Sequence, residues 1–192
     1  QTLNSGTYGT AYTSNAFTGA SNGTGSYTYT IKSGAPTNTT NNNTNRTISI
    51  PAGTDNGTYS IVVTATDNNS NSYADATMTI VINKFTPTVS LTAKTEAQRT
   101  FTGSPIVSNT ATVTLTNNET YSGSITYTYY TNNTCTTGAT TAAPTYGNYW
   151  VNASIAAQGN YNAASSDCVN HNIVVATPTV SLTAKTNMKY NG

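Results

Sequence analysis

Charge is what this chain lacks most. Lys, Arg, Asp and Glu together make up 7% of its 192 residues, against about 25% in an ordinary soluble domain. The formal net charge of +1 supplies no basic patch for nucleic acid or anionic lipid. Leucine is scarce (Leu3, Leu91, Leu115, Leu182), too sparse for amphipathic helices. No apolar run approaches the ~20 residues of a membrane span, and no signal peptide is recognisable in the given residues. One histidine, His171, and six scattered acidic residues offer no Ser–His–Asp arrangement, phosphate-binding glycine loop or close carboxylate pair. The chain therefore does not read as an enzyme, and no cofactor is expected.

What is present is a strand-and-turn vocabulary. Thr is roughly one residue in five, and 14 Tyr and 14 Gly accompany many Asn and Ser. Thr and Tyr favour strands, whereas Asn and Gly favour turns. Low charge and regular Tyr/Val/Ile alternation argue against disorder. The expected class is all-β.

The string TPTVSLTAKT occurs at residues 86–95 and again at 177–186, an offset of 91. That is about the length of one small β-sandwich. Only six residues follow the second copy, so the sequence reads as cut from a longer array just after a third unit begins.

Two segments alternate strictly. In 57–67 (GTYSIVVTATD), Tyr59, Ile61, Val63 and Ala65 share one face; in 147–157 (GNYWVNASIAA), Tyr149, Val151, Ala153 and Ile155 do. Such alternation marks a half-buried antiparallel strand. Their glycines lie 90 apart, but the Tyr-rich strands at 25–32 and 123–130 lie 98 apart. The first unit therefore holds extra residues, and 38–45 (NTTNNNTN) is the expected long loop. Closing strands are expected at 76–82 and 169–175. The predicted organisation is a sandwich over 1–84, a second over 85–176, and a segment 177–192 that is either the first strand of a truncated further repeat or a donated strand. Pro87 and Pro178 follow the joints and stiffen the chain there.

On these residues the chain resembles the bacterial immunoglobulin-like repeats of large cell-surface proteins and adhesins. The carriers in the second unit are TPTVSLTAKT, GSITYTYY (123–130) and GNYWVNASIAAQGNYNAASSDC (147–168). In the first unit, GTGSYTYTIKSGAP (23–36) and GTYSIVVTATDNNS (57–70) resemble the related first-unit type. The resemblance implies tandem immunoglobulin-like antiparallel β-sandwiches in an extracellular, surface-anchored protein, with neighbouring repeats as partners. It implies no ligand.

Cys135 and Cys168 are the only cysteines. An even count in a chain read as exported favours a disulfide over two free thiols. It is not the immunoglobulin pin, because Trp150 follows the partner strand instead of preceding it. With His171 the two lack metal-ligand spacing. Tyr59 and Tyr149 each stand two residues after a glycine at the start of the penultimate strand, where a tyrosine corner sits. Trp150 alternates away from the Tyr149/Val151 face; it either packs on neighbours such as Tyr127 and Tyr129 or meets a glycan or protein partner.

Residues 67–71 (DNNSN) begin like a calcium loop, but Ser72 and Met78 stand where glycine and glutamate are needed, so an Asx-rich hairpin loop is the expected reading. Lys94 with Glu119 and Lys32 with Asp67 are the pairs an isopeptide crosslink would use, and nothing in their spacing singles them out. Asn-x-Ser/Thr sequons such as those at Asn22, Asn56 and Asn132 occur at about the chance frequency for so Asn-rich a chain. The expected function is a stiff spacer or stalk. The alternatives are a filament subunit that donates residues 177–192 to its neighbour, and a carbohydrate- or protein-binding module.

Overall fold

The computed structural model describes residues 1–184, Thr186, Lys189, Tyr190 and Gly192. Its strands are β1 (Gly6–Thr7), β2 (Tyr12–Thr13), β3 (Tyr27–Ser33), β4 (Thr40–Asn42), β5 (Thr47–Ile50), β6 (Gly57–Asp67), β7 (Tyr73–Asn83) and β8 (Thr88–Ser90), then β9 (Thr100–Phe101), β10 (Thr112–Thr114), β11 (Ile125–Tyr130), β12 (Trp150–Ile155), β13 (Ala164–Ser165), β14 (Val169–Asn170) and β15 (Val174–Val175). One 3-10 turn, Ala97–Arg99, is the only helical element among the described residues. No helix among them is long and apolar enough to cross a membrane. The all-β expectation holds.

Two compact units form, neither a single block of sequence. One contains Gln1–Ser90, Ala111–Thr126 and Ala153–Asp167; the other contains Leu91–Thr110, Tyr127–Asn152 and Cys168–Gly192.

The first unit is organised by β6 and β7. They pair antiparallel from Gly57↔Ile82 to Thr66↔Tyr73, so Ile61 faces Met78 and Tyr59 faces Ile80. β3 adds to the other side of β6, and β1 runs parallel to β7, giving the order β1-β7-β6-β3. A second sheet, β2-β5-β4, lies apart from it. Alternation decides the burial: Ile48 and Ile50 of β5 and Ile61, Val63, Met78 and Ile80 of the long hairpin are all buried with Phe17 and Tyr29. Tyr161 joins this same core, and Phe85 and Leu115 pack against it.

In the later part of the chain, β8 pairs antiparallel with β10, β12 lies between β11 and β13 and also takes β14, and β15 runs parallel to β9. In the second unit, Val151 and Ile173 are buried with Tyr129 and His171, whose rings lie 5.1 Å apart.

Several boundaries differ from expectation. Residues 38–45 are not simply a loop, since β4 lies inside them. Asn41 Nδ2 donates to Tyr29 O (2.7 Å) and Tyr29 N donates to Asn43 Oδ1 (2.8 Å), so side-chain amides supply β3 with bonds that a neighbouring strand would otherwise give. The strand expected over 169–175 is broken into β14 and β15. His171 turns inward between them, and Arg99 Nη1 bonds the Asn172 carbonyl. The segment expected at 147–157 is regular only from Trp150, with Gly147 bridged singly to Ile173. Residues 177–184 carry no strand assignment and are exposed. The strand expected over 177–192 falls partly on Lys185, Asn187, Met188 and Asn191, which lie outside the described residues.

The bend after β3 requires glycine. The β3–β6 register shifts between Ile31 and Ser33, and Gly34 follows at φ +76°, where an added Cβ would stand 2.0 Å from Ser60 O. Backbone cannot yield as a side-chain tip can. Gly34→Ala is expected to cost about 1–3 kcal/mol in urea unfolding. Gly53→Ala, with nothing within 4 Å of the new methyl, is the control expected to stay near wild type.

Candidate functional site

The residues that do most to fix the chain's course surround Lys84 and Phe85, where β7 gives way to the repeated string. Phe85 N donates to Asn160 O (2.9 Å) and Asn162 N donates to Phe85 O (2.8 Å). Its ring meets Tyr161 edge-on with centroids 6.2 Å apart. Asn162 Nδ2 also donates to Thr86 Oγ1 (2.9 Å). The joint is therefore bonded through its backbone on both sides and packed through its side chain.

Glu119 clamps the same region. Its Oε1 accepts from the Tyr8 hydroxyl, and its Oε2 accepts from the Tyr161 hydroxyl at 2.7 Å. The two phenol rings meet edge-on at 5.6 Å. Asn160 completes the group: its Nδ2 donates to Asp55 Oδ1 (2.8 Å) and its Oδ1 accepts from Asn56 N (2.8 Å). The hydrogen bond from Tyr8, then that from Tyr161, holds the Glu119 carboxyl below its ordinary range. The Tyr8 phenol is pushed up, first by its bond to Glu119 and then by burial; Tyr161 is pushed up first by burial and then by Glu119. A cavity of about 240 Å³ opens beside Glu119, lined in part by Leu115, Tyr121, Gln158 and Asn160. The carboxylate beside it already accepts two phenols, so the arrangement fastens segments together.

Sequence reasoning missed this cluster. Tyr8 and Glu119 are 111 residues apart, and Glu119 and Tyr161 are 42 apart. No periodicity links such positions. Among the described residues Glu119 is engaged by the two phenols and not by Lys94, and Lys32 forms its ion pair with Asp75 and not with Asp67.

The cysteines are joined as a Cys135–Cys168 disulfide with Cα atoms 5.8 Å apart. Cys135 sits at φ +53°, in a turn organised by Asn132. The Oδ1 of Asn132 accepts from Thr136 N (3.0 Å) and Thr137 N (3.1 Å), while its Nδ2 donates to Thr134 Oγ1 (2.6 Å). His171 is not with the cysteines in a metal set: among the described residues no three potential ligands gather. It is 1% exposed and bonds Ile106 O through Nε2 (2.8 Å), and burial pushes its pKa down. The neutral ring that burial favours must carry its proton on Nε2 to make that bond.

Residues 67–71 form an Asx-capped turn. Asp67, 2% exposed, accepts from Thr24 N (2.8 Å) and Ser70 Oγ (2.9 Å) through Oδ2 and from Asn69 N (3.0 Å) through Oδ1. The backbone bonds from Asn69 and Thr24 hold its carboxyl down at about 2. Both oxygens face protein donors, which is the geometry of a structural cap.

Tyr59 donates its hydroxyl to Asp55 O (2.8 Å), four residues back at the start of β6. Tyr149 is half-buried, and its carbonyl accepts from His171 N (2.8 Å). Trp150 is half-buried on β12, opposite in alternation to Val151 and paired in register with Asn170.

No family model matches the chain, and no curated protein matches it.

Two outcomes follow from these contacts. Because the Glu119 and Asp67 pKa values are depressed in the folded state, their contributions are present above about pH 4.5 and are lost as pH falls through the folded values. Urea midpoints measured at pH 7, 4 and 2 should fall with acid, and Glu119→Gln should flatten the upper part of that fall while lowering the pH 7 midpoint. Above pH 10 the sign reverses in pH: the raised Tyr8 and Tyr161 resist ionisation when folded, so stability is lost as pH climbs past the unfolded phenol value.

The disulfide closes a loop with a sequence separation of 33. The Cys135→Ser/Cys168→Ser double variant is expected to lose about 3–4 kcal/mol on the chain-entropy model, read as the difference between oxidised wild type and variant in guanidinium unfolding.

Proposed function

We propose that this chain is a structural or adhesive segment of an extracellular bacterial surface protein, made of tandem immunoglobulin-like sandwiches and acting as a stiff spacer. The observation that carries the reading is the arrangement of strands in the first unit. Strand order supports the immunoglobulin part. Sheets β2-β5-β4 and β1-β7-β6-β3 fit the B-E-D and C-F-G pattern, with β1 as an initial strand running parallel to the last. Tyr59 then stands at the start of strand F with its hydroxyl tied back to Asp55 O, as a tyrosine corner does. The disulfide fits an oxidising, extracellular setting.

Small-angle scattering of the wild-type chain tests the spacer directly. A rod-like profile is the expected result of the spacer reading. A flexible profile for wild type would overturn the reading. The competing binding-module reading predicts that a glycan array or pull-down detects a partner lost in Trp150→Ala; the spacer reading predicts no difference between the two proteins.

A further inference from the structure

At the end of the first unit where β6 begins, two tight turns line a cavity of about 440 Å³. Pro36 O accepts from Thr39 N (3.2 Å) in one turn, and Pro51 O accepts from Thr54 N (3.2 Å) in the other. Pro36, Asn38, Pro51, Gly53, Asp55 and Tyr59 supply most of the wall. The volume falls within the range of about 300–1,000 Å³ that small-molecule sites occupy.

The wall is held in place by bonds that leave its binding groups free. Tyr59 packs in part on the core and donates its hydroxyl to Asp55 O (2.8 Å), which fixes its ring at the cavity. Asp55 Oδ1 accepts from Asn160 Nδ2 (2.8 Å), and Oδ2 has no protein donor among the described residues. The Asn38 side chain, on a backbone at φ +62°, makes no protein hydrogen bond among them either. Gly9 N donates to Ala52 O (3.0 Å) and anchors the second turn. Groups ordered in advance lose little freedom when a ligand arrives.

The chemistry of the lining selects the ligand. Two proline rings and a tyrosine ring are apolar, whereas an amide and one carboxylate oxygen are polar, and none of the lining residues is a cation. Without a cation the cavity has no charged partner for a phosphate, sulfate or carboxylate. A neutral sugar has the matching character: its hydroxyls donate to a carboxylate and bond an amide, while its C–H face lies on a ring. We propose that this cavity binds a neutral hexopyranose unit of a glycan. Asp55 Oδ2 accepts from one sugar hydroxyl, the Asn38 amide bonds a second, and the Tyr59 ring receives the C–H face. The site goes beyond the spacer reading and does not involve Trp150, which belongs to the second unit.

Titration of the isotope-labelled 192-residue protein with neutral methyl hexopyranosides (glucoside, galactoside and mannoside), followed by backbone amide shifts, is the test. At least one is expected to shift the amides of residues 37–38 and 52–55 and to saturate at roughly millimolar concentration. Asp55→Asn keeps the acceptor for Asn160 but removes the charge, and should weaken binding about tenfold or more. Asn38→Gly tolerates the positive φ and should weaken it by a smaller factor. An added side chain at Gly53 meets nothing within 4 Å, so Gly53→Trp should keep the wild-type circular dichroism while its indole fills the cavity and abolishes binding. Trp150→Ala should bind as wild type does. No shift with any of the three sugars, shifts centred away from these turns, or undiminished binding in Gly53→Trp would each overturn the proposal. A flexible profile in scattering would leave it standing, so the two readings fail separately.

Discussion

A chain with four leucines and fourteen tyrosines builds its core partly from phenols, and a buried phenol must place its hydroxyl. Leaving such a group without a partner costs about 1–3 kcal/mol, more than an average hydrogen bond contributes. That constraint runs through the molecule. Tyr12 donates to Asn4 O; the Tyr29 hydroxyl accepts from Ala20 N (2.9 Å); the Tyr129 hydroxyl accepts from Ser108 N (3.1 Å). Tyr59 reaches Asp55 O, and Tyr8 and Tyr161 share Glu119. In each case the ring fills the core and the oxygen ties down a loop or a distant segment. Tyr27 is the exception, its hydroxyl buried without a partner.

The pinning explains how so polar a chain keeps ordered connections. Loops rich in Thr, Asn and Ser have little apolar surface with which to hold themselves against the sheets. Here they are held at single points by phenols rooted in the core and by Asn side chains that act as surrogate backbone. Asn41 and Asn43 bond β3, and Asn160 and Asn162 bond the segments around Phe85. Charge contributes little to this architecture: among the described residues a single ion pair, Lys32–Asp75, forms at the surface. Exposed pairs of that kind add at most about 1 kcal/mol.

Local pattern was legible in the sequence where it was long and where burial followed it. β6 has the bounds its alternation predicts, Gly57–Asp67, because eleven residues of period two admit one buried face. The Asx turn at Asp67 was readable from short-range chemistry. What alternation does not encode is interruption. The expected final strand breaks because His171 turns inward and Arg99 engages the Asn172 carbonyl, a contact across 73 residues. The Glu119 clamp was invisible for the same reason, since its three members are brought together only by the fold.

The repeated string separates local preference from tertiary context within one molecule. Both copies have the same β-branched residues, the same proline and the same intrinsic preference for extended backbone. One becomes β8 and buries Val89 and Leu91; the other stays irregular and exposed through residue 184. Propensity is equal, and the two copies differ in their partner: β8 pairs with β10, which follows it by some twenty residues, whereas the given sequence runs only six residues past the second copy. Phe85 leads the first copy into a bonded, aromatic joint beside β10, whereas Ala176 leads the second and has no ring to anchor it. Strand formation here is therefore a property of the receiving edge as much as of the segment.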